Sequence, residues 1–237
     1  MRPLEDGALA PMPFAVTDPL GLAAWAFLGM QVALLWAVRR SRAALESGEK
    51  LPSPSVLYPS LALQGLFVLG VALLAAHDAG IRLIPSTQSV SKALIWAPIA
   101  LALLVGSVPV LWRITPAEQR ERNTAFLPTN AKESSWVLAV SLIAGLGEEI
   151  AWRAVLPALL AHLTGSTALA IALSALSFGF AHWVQGKIAI VAVFAFALVF
   201  HGLVALTGGL PAAIAVHALY DALVGTILGP YLRRRAV

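Results

Sequence analysis

Cysteine is absent from this 237-residue chain. Its absence excludes a disulfide framework, a thiolate nucleophile and a cysteine-ligated zinc. Charge is scarce as well: Asp, Glu, Lys and Arg make up 12% of residues, against about 25% in soluble domains. There is no Gly-rich phosphate loop, no internal repeat, no low-complexity tract and no His-Glu-x-x-His string. What fills the chain instead is apolar, at 59% hydrophobic residues. Together these features place it among membrane proteins and leave no room for a separate soluble domain. The basic pI of about 9.9 does not point to nucleic acid, because the basic residues sit in loops beside apolar runs.

Those runs divide into about seven spans, each near the roughly 20 residues that cross about 30 Å of hydrocarbon. They are Leu20–Val38, Val56–Ala76, Ala93–Trp112, Ser135–His162, Ser166–Gln185, Ile188–Leu206 and Leu210–Gly229. The expected fold is all-α, a polytopic transmembrane helical bundle. It has three regions: residues 1–134 with three spans, 135–229 with four, and a basic tail at 230–237. Glu5, Asp6 and Asp18 precede the first span with only Arg2 as a base, and Arg39, Arg40 and Arg42 follow it. That order suits an uncleaved first span with its N-terminus outside.

Charge placement supports the same orientation. Arg39, Arg40, Arg42, Lys50, Arg113, Arg120, Arg122, Lys132, Lys187, Arg233, Arg234 and Arg235 fall on the inner side, 12 of the 16 basic residues. Arg2, Arg82 and Lys92 fall outside, and Arg153 lies within a span. By the positive-inside rule the C-terminus is cytoplasmic. Trp36, Trp112, Trp136 and Trp183 fall at the inner boundary, where indoles prefer to sit. Two helix starts are also legible. Thr115-Pro116-Ala117-Glu118 opens a short surface helix, and Asn130 with Glu133 caps the fourth span from the cytoplasmic side.

The chemistry lies in the last four spans. Glu148, Glu149 and Arg153 occupy six residues of one apolar helix, although each charge at mid-bilayer costs at least about 2.5–3.5 kcal/mol. Glu149 and Arg153, four apart, share a face and can pair. Glu148 points about 100° away and is available to another neighbour. His182 follows near the inner end of the fifth span, and His217 and Asp221 lie four apart in the seventh. Counting helix rise places Asp221 roughly 12 Å from the inner end of its span. Glu148 is somewhat deeper and His182 shallower, in a tilted cavity open toward the inner half.

As oxygen and nitrogen donors, Glu148, His182, His217 and Asp221 suit a zinc ion and equally suit metal-free water activation. A structural ion pair between helices, or a proton or ion relay in a small transporter, would use the same residue types. A transporter of that kind is expected to show repeats or paired broken helices, and neither is visible here. His201, toward the outer end of its span, fits packing or hydrogen bonding. His162 at an outer helix end and His77 in an outer loop fit solvated or interfacial roles. Gly208-Gly209 before Leu210-Pro211 marks a tight turn into the last span.

The order Glu148-Glu149-x-x-x-Arg153, Phe178-x-x-x-His182, His217-x-x-x-Asp221 resembles the CPBP family of intramembrane proteases. That family includes CAAX prenyl endopeptidases and bacterial Abi proteins. The resemblance covers Ser135 to Gly229 and implies proteolysis of a membrane-anchored protein or peptide within or at the edge of the bilayer. It implies that Glu148 and His182 activate the attacking water, with Glu149 and Arg153 supporting them. His217 and residue 221 would stabilise the oxyanion or, in the metalloprotease view, bind Zn2+. The best-known pattern has asparagine at position 221. Aspartate there cannot donate to an oxyanion when ionised, so it must be protonated, ligate a metal or orient His217. Compact size and abundant alanine look bacterial. An inner-membrane protein acting in sorting or C-terminal signal processing is the expected setting. A catalytically inactive immunity or binding protein of the same fold is the other reading.

Overall fold

The computed structural model describes residues 13–49, 51–85 and 88–235. Arg2, Glu5, Asp6 and Lys50, used in the charge reading, lie outside the described residues, as do Ala236, Val237 and the side chain of Arg235 in the basic tail. Among the described residues eight helices follow in order: α1 Leu22–Glu46, α2 Pro54–Asp78, α3 Val90–Ile114, α4 Ala117–Thr124, α5 Ala131–Thr164, α6 Thr167–Ala181, α7 Lys187–Thr207 and α8 Pro211–Arg234. No strand occurs among the described residues, so the fold is the all-α bundle expected.

Among the described residues six helices are long and apolar enough to cross a membrane: α1, α2, α3, α5, α7 and α8. The seventh apolar helix, α6, has 15 residues, about 22 Å at 1.5 Å per residue, which falls short of the hydrocarbon thickness. The span expected to run to Gln185 stops at Ala181. A 3-10 turn over Trp183–Gln185 then leads to Gly186 at φ 107°. Large apolar side chains such as Leu22, Val32, Leu63, Phe67, Leu94 and Leu103 are exposed on α1, α2 and α3, as lipid-facing surfaces require.

The helix ends follow their sequence signals closely. Asn130 Oδ1 accepts from the Glu133 N–H (2.9 Å), and the Glu133 carboxylate accepts from the Thr129 N–H (2.7 Å). Helix α4 starts one residue later than its signal, at Ala117. Thr115 does not cap it, because its hydroxyl donates to the Leu111 carbonyl at the end of α3 (2.7 Å). At the opposite end of the bundle, Asp78 at the end of α2 accepts from the Ala24 N–H of α1 (2.9 Å). His77, expected in a loop, is exposed in the last turn of α2.

Helix α5 is the centre of the bundle, with every residue from Glu149 to Leu159 buried. Two glycines just before the glutamates let it sit between α2 and α8. A Cβ at Gly145 would lie 3.0 Å from Ala218 N and 3.1 Å from the Ile214 carbonyl, both on α8. A Cβ at Gly147 would lie 3.1 Å from the Gly65 carbonyl on α2. Past the glutamates, Ile150–Val155 widens into a π-helical turn. Pro157 explains it: proline has no N–H for the Arg153 carbonyl, and its ring crowds that group in a regular α-helix. A second wide turn in α8, Val224–Leu228, precedes Pro230 in the same way.

The glycine contacts generate a direct test. Gly145→Val places two methyl groups against the α8 backbone and should lower stability by about 1–3 kcal/mol, the usual range for overpacking. Gly106→Ala on α3 meets nothing within 4 Å and should be neutral or stabilising by about 0.5–1 kcal/mol. Thermal unfolding in detergent distinguishes the two.

Candidate active site

The site is assembled from the middle of α5, the end of α6 and the middle of α8, with α7 behind it. Arg153 is 1% exposed and Glu149 is fully buried. Arg153 Nε lies 3.2 Å from Glu149 Oε2, as an ion pair whose geometry falls outside that of a hydrogen bond. The guanidinium lies between two aromatic rings, with Cζ 4.1 Å from the Phe178 centroid and 5.0 Å from the Phe200 centroid. Rings at these distances attract a desolvated cation by about 2 kcal/mol or more each. Phe178 comes from α6 and Phe200 from α7, so one side chain fastens three helices.

The other oxygen of Glu149 continues the chain. Oε1 lies 2.6 Å from His217 Nδ1, and with Glu149 ionised beside Arg153 the imidazole N–H donates. His217 is also stacked on Phe200, with centroids 5.3 Å apart. Its far nitrogen, Nε2, lies 3.7 Å from Glu148 Oε2 and 3.5 Å from Asp221 Oδ2. Separations of that size leave these groups loosely coupled, with space for a water or substrate atom among them.

His182 caps the end of α6. Its Nδ1 lies 2.9 Å from the Phe178 carbonyl. A carbonyl only accepts, so Nδ1 carries the proton and neutral His182 keeps Nε2 as an acceptor. Glu148, His182, His217 and Asp221 all line one cavity of about 330 Å3, whose other walls include Tyr58, Phe126, Ser141 and Gln185. Glu149 and Arg153 do not line it. They lie behind it and reach it through His217, Phe178 and Phe200. The side chain of Glu148 is 26% exposed, although its neighbour is sealed from solvent.

His201 does not join this group. It is 8% exposed, and its Nε2 has no hydrogen-bond partner among the described residues. His162 is exposed at the far end of α5. Two contributors went unread in the sequence. Phe200 is one aromatic in a continuous apolar run and carries no local mark of its role. Ser174 donates to the Trp152 carbonyl within the wide turn (2.6 Å); Pro157 was the signal that a carbonyl there would need a new partner.

The zinc expectation can be tested on the donor arrangement. Among the described residues, no three His, Asp or Glu side chains are grouped to hold an ion. Nδ1 of His217 is committed to Glu149, and the carboxylates of Glu148 and Asp221 approach its other nitrogen. As placed, these side chains do not converge on one point, and the mechanism uses no metal.

The buried chain predicts a large effect at its root. Arg153→Ala leaves Glu149 as an uncompensated buried charge, which should cost about 3–5 kcal/mol. Arg153→Lys keeps the charge but loses the planar stacking between Phe178 and Phe200, and should fall between the two. Chemical denaturation in mixed micelles measures both.

With this geometry established, comparison with known proteins gives one match. Neither the curated proteins nor the solved structures contain a match to this chain. Residues 130–223 match the family described as type II CAAX prenyl endopeptidase Rce1-like. The matched segment begins at the Asn130 cap, ends in α8 and holds all six residues singled out above. Its family points to intramembrane endopeptidase activity. The part of the chain that carries the candidate site is thus similar to the Rce1-like CAAX prenyl endopeptidases of the CPBP family over residues 130–223.

Proposed function

We propose that this protein is an intramembrane endopeptidase that cleaves membrane-anchored proteins, in bacterial protein sorting or the processing of C-terminal signals. One observation carries the reading: Glu148, His182, His217 and Asp221, from three helices, line a single cavity inside an otherwise apolar bundle. Glu148 is the general base. It takes a proton from a water shared with His182 Nε2, and the water oxygen attacks the scissile carbonyl carbon. The charge that develops on the carbonyl oxygen is received by the Nε2–H of His217, which as an imidazolium flanked by Glu149 and Asp221 donates from both ring nitrogens. Asp221 accepts from the same N–H before substrate arrives, which keeps that nitrogen protonated and aimed into the cavity. As the C–N bond breaks, Glu148 returns its proton to the leaving amine. Glu149 and Arg153 hold His217 in place and touch neither water nor substrate. This role suits aspartate at position 221 as an acceptor, where a direct donor would have to be asparagine or a protonated carboxyl.

Glu148→Gln keeps the shape of the side chain but cannot take a proton. It should abolish cleavage of membrane-anchored substrates by the purified protein while leaving thermal unfolding unchanged. Asp221→Asn should retain activity within about tenfold, since the amide oxygen still accepts from His217. Full cleavage by Glu148→Gln would remove Glu148 as the base, and absence of cleavage by the parent protein would remove the protease reading and bring forward the transporter or the inactive immunity protein. Metal analysis checks the zinc alternative. One equivalent of zinc in the parent protein, lost on Asp221→Asn together with activity, would replace the oxyanion role of His217 and Asp221.

The same reading places the end of the bundle that carries Arg42, Arg113, Arg122 and Arg233 in the cytoplasm of a bacterial inner membrane, by the positive-inside rule. Reporter fusions at Arg42 and Arg122 should both report cytoplasm. A periplasmic signal from either would reverse the orientation.

A further inference from the structure

A second cavity, of about 160 Å3, lies between α3, α4, α7 and α8. It adjoins the candidate active site, because Gln185, Val193, Phe196 and Tyr220 line both. Its polar wall comes from α4, a surface helix that lies outside the matched segment. Gln119 and Asn123, four apart, share the face of α4 that lines the cavity. Gln119 is only 8% exposed, an unusual position for a glutamine on a short, hydrophilic surface helix. Gln119 Nε2 and Asn123 Oδ1 are both buried, and neither has a hydrogen-bond partner among the described residues.

Local structure holds this face inward. Arg120 Nη1 donates to the Thr115 carbonyl (2.9 Å) and the Trp112 carbonyl (3.3 Å), tying α4 to the end of α3. Gly186, at φ 107°, lies directly under Gln119, and a Cβ there would collide with the Gln119 amide. Gly186 follows the 3-10 turn that begins after His182. Gln119 is therefore packed against the same loop that ends in the water-activating histidine.

Buried polar groups without partners are uncommon in folded proteins and call for a ligand or an ordered water. Here the unpaired set is one donor and one acceptor, flanked by apolar walls from Leu111, Trp112, Ile188 and Val193. No carboxylate lines the space, which argues against a cation. A peptide group has the complementary set: a carbonyl for Gln119, an N–H for Asn123 and a side chain for the apolar walls. Waters that satisfy the pair beforehand are displaced at little cost when the incoming groups reproduce their hydrogen bonds.

We propose that this second cavity is a substrate subsite, in which Gln119 and Asn123 hydrogen-bond the main chain of an extended, apolar peptide segment beside the scissile bond. The proposal rests on the endopeptidase reading, but its test measures binding separately from cleavage. The probe is a pool of N-palmitoylated octapeptides, randomised at every position. It is offered to the full chain carrying Glu148→Gln in lipid nanodiscs, and retained peptides are sequenced by mass spectrometry. On that background, Gln119→Met or Asn123→Leu should lower retention about tenfold, the equivalent of one hydrogen bond of about 1.4 kcal/mol, with thermal unfolding unchanged. Undiminished retention by either folded variant overturns the subsite, as does failure of the parent to retain any peptide. If Gln119→Met does not fold, Ala192→Cys on the wall of the same cavity, in this cysteine-free chain, supplies a second measurement. Its reaction with a maleimide should be slowed by the pool, and an unchanged rate overturns the proposal. The protease reading is judged separately, by whether the parent cleaves the pool and Glu148→Gln does not.

Discussion

The fully buried contact between Arg153 and Glu149 is the constraint on which the rest of this bundle depends. A guanidinium and a carboxylate in an apolar interior are tolerable only as a pair with further partners. Here the partners extend the pair in both directions. Phe178 and Phe200 close on the cation from α6 and α7, and His217 takes the free carboxylate oxygen from α8. Four helices meet at two charges. Between membrane helices the hydrophobic effect contributes little, because lipid tails are as apolar as leucine. A charged contact that no lipid can replace is therefore an effective way to fix which helices meet and at what height.

Close helix approach makes this contact possible. Gly145 and Gly147 allow α5 to meet the backbones of α8 and α2 at ordinary contact distance only because they lack Cβ atoms. They also alternate sides, one toward each neighbour. The charged residues begin at the next position, so their heights are set by a backbone fit and not by flexible side chains. The wide turn at Ile150–Val155 then adjusts the helix phase around Arg153, and Ser174 on α6 donates to the Trp152 carbonyl in that turn.

Much of this was legible in the sequence. Length and apolar composition give the spans, and Asn130 and Glu133 give the start of α5 to the residue. The i, i+4 spacings of Glu149 with Arg153 and of His217 with Asp221 give neighbouring side chains on one helix. Spacing along one helix does not give contacts between helices. Nothing in the sequence says that Glu149, and not Asp221, holds His217 at its Nδ1, or that Phe200 stacks on Arg153, because both contacts depend on how α5, α7 and α8 are docked. The early end of α6 was also hidden. The apolar run continues through Trp183 and Val184, and only Gly186 marks the break.

Glu148 and Glu149 are chemically identical and adjacent, and their difference is entirely positional. A rotation of about 100° along the helix turns one into the joint between α5 and α8 and leaves the other facing a cavity with loose partners. The matched segment supplies this chemistry, but it does not enclose it. Tyr58 on α2 and Phe126 after α4 line the main cavity, and the Tyr58 hydroxyl donates to the Phe126 carbonyl across them (3.2 Å). Arg233, at the end of α8, reaches the Pro128 carbonyl (3.4 Å) and closes the connection from α4 to α5 over the same end. The reactive groups thus come from α5, α6 and α8, whereas part of the wall a substrate would meet comes from α2 and from the loop after α4. On such a division, the chemistry can stay fixed while the choice of substrate changes with residues outside the region that identifies the family.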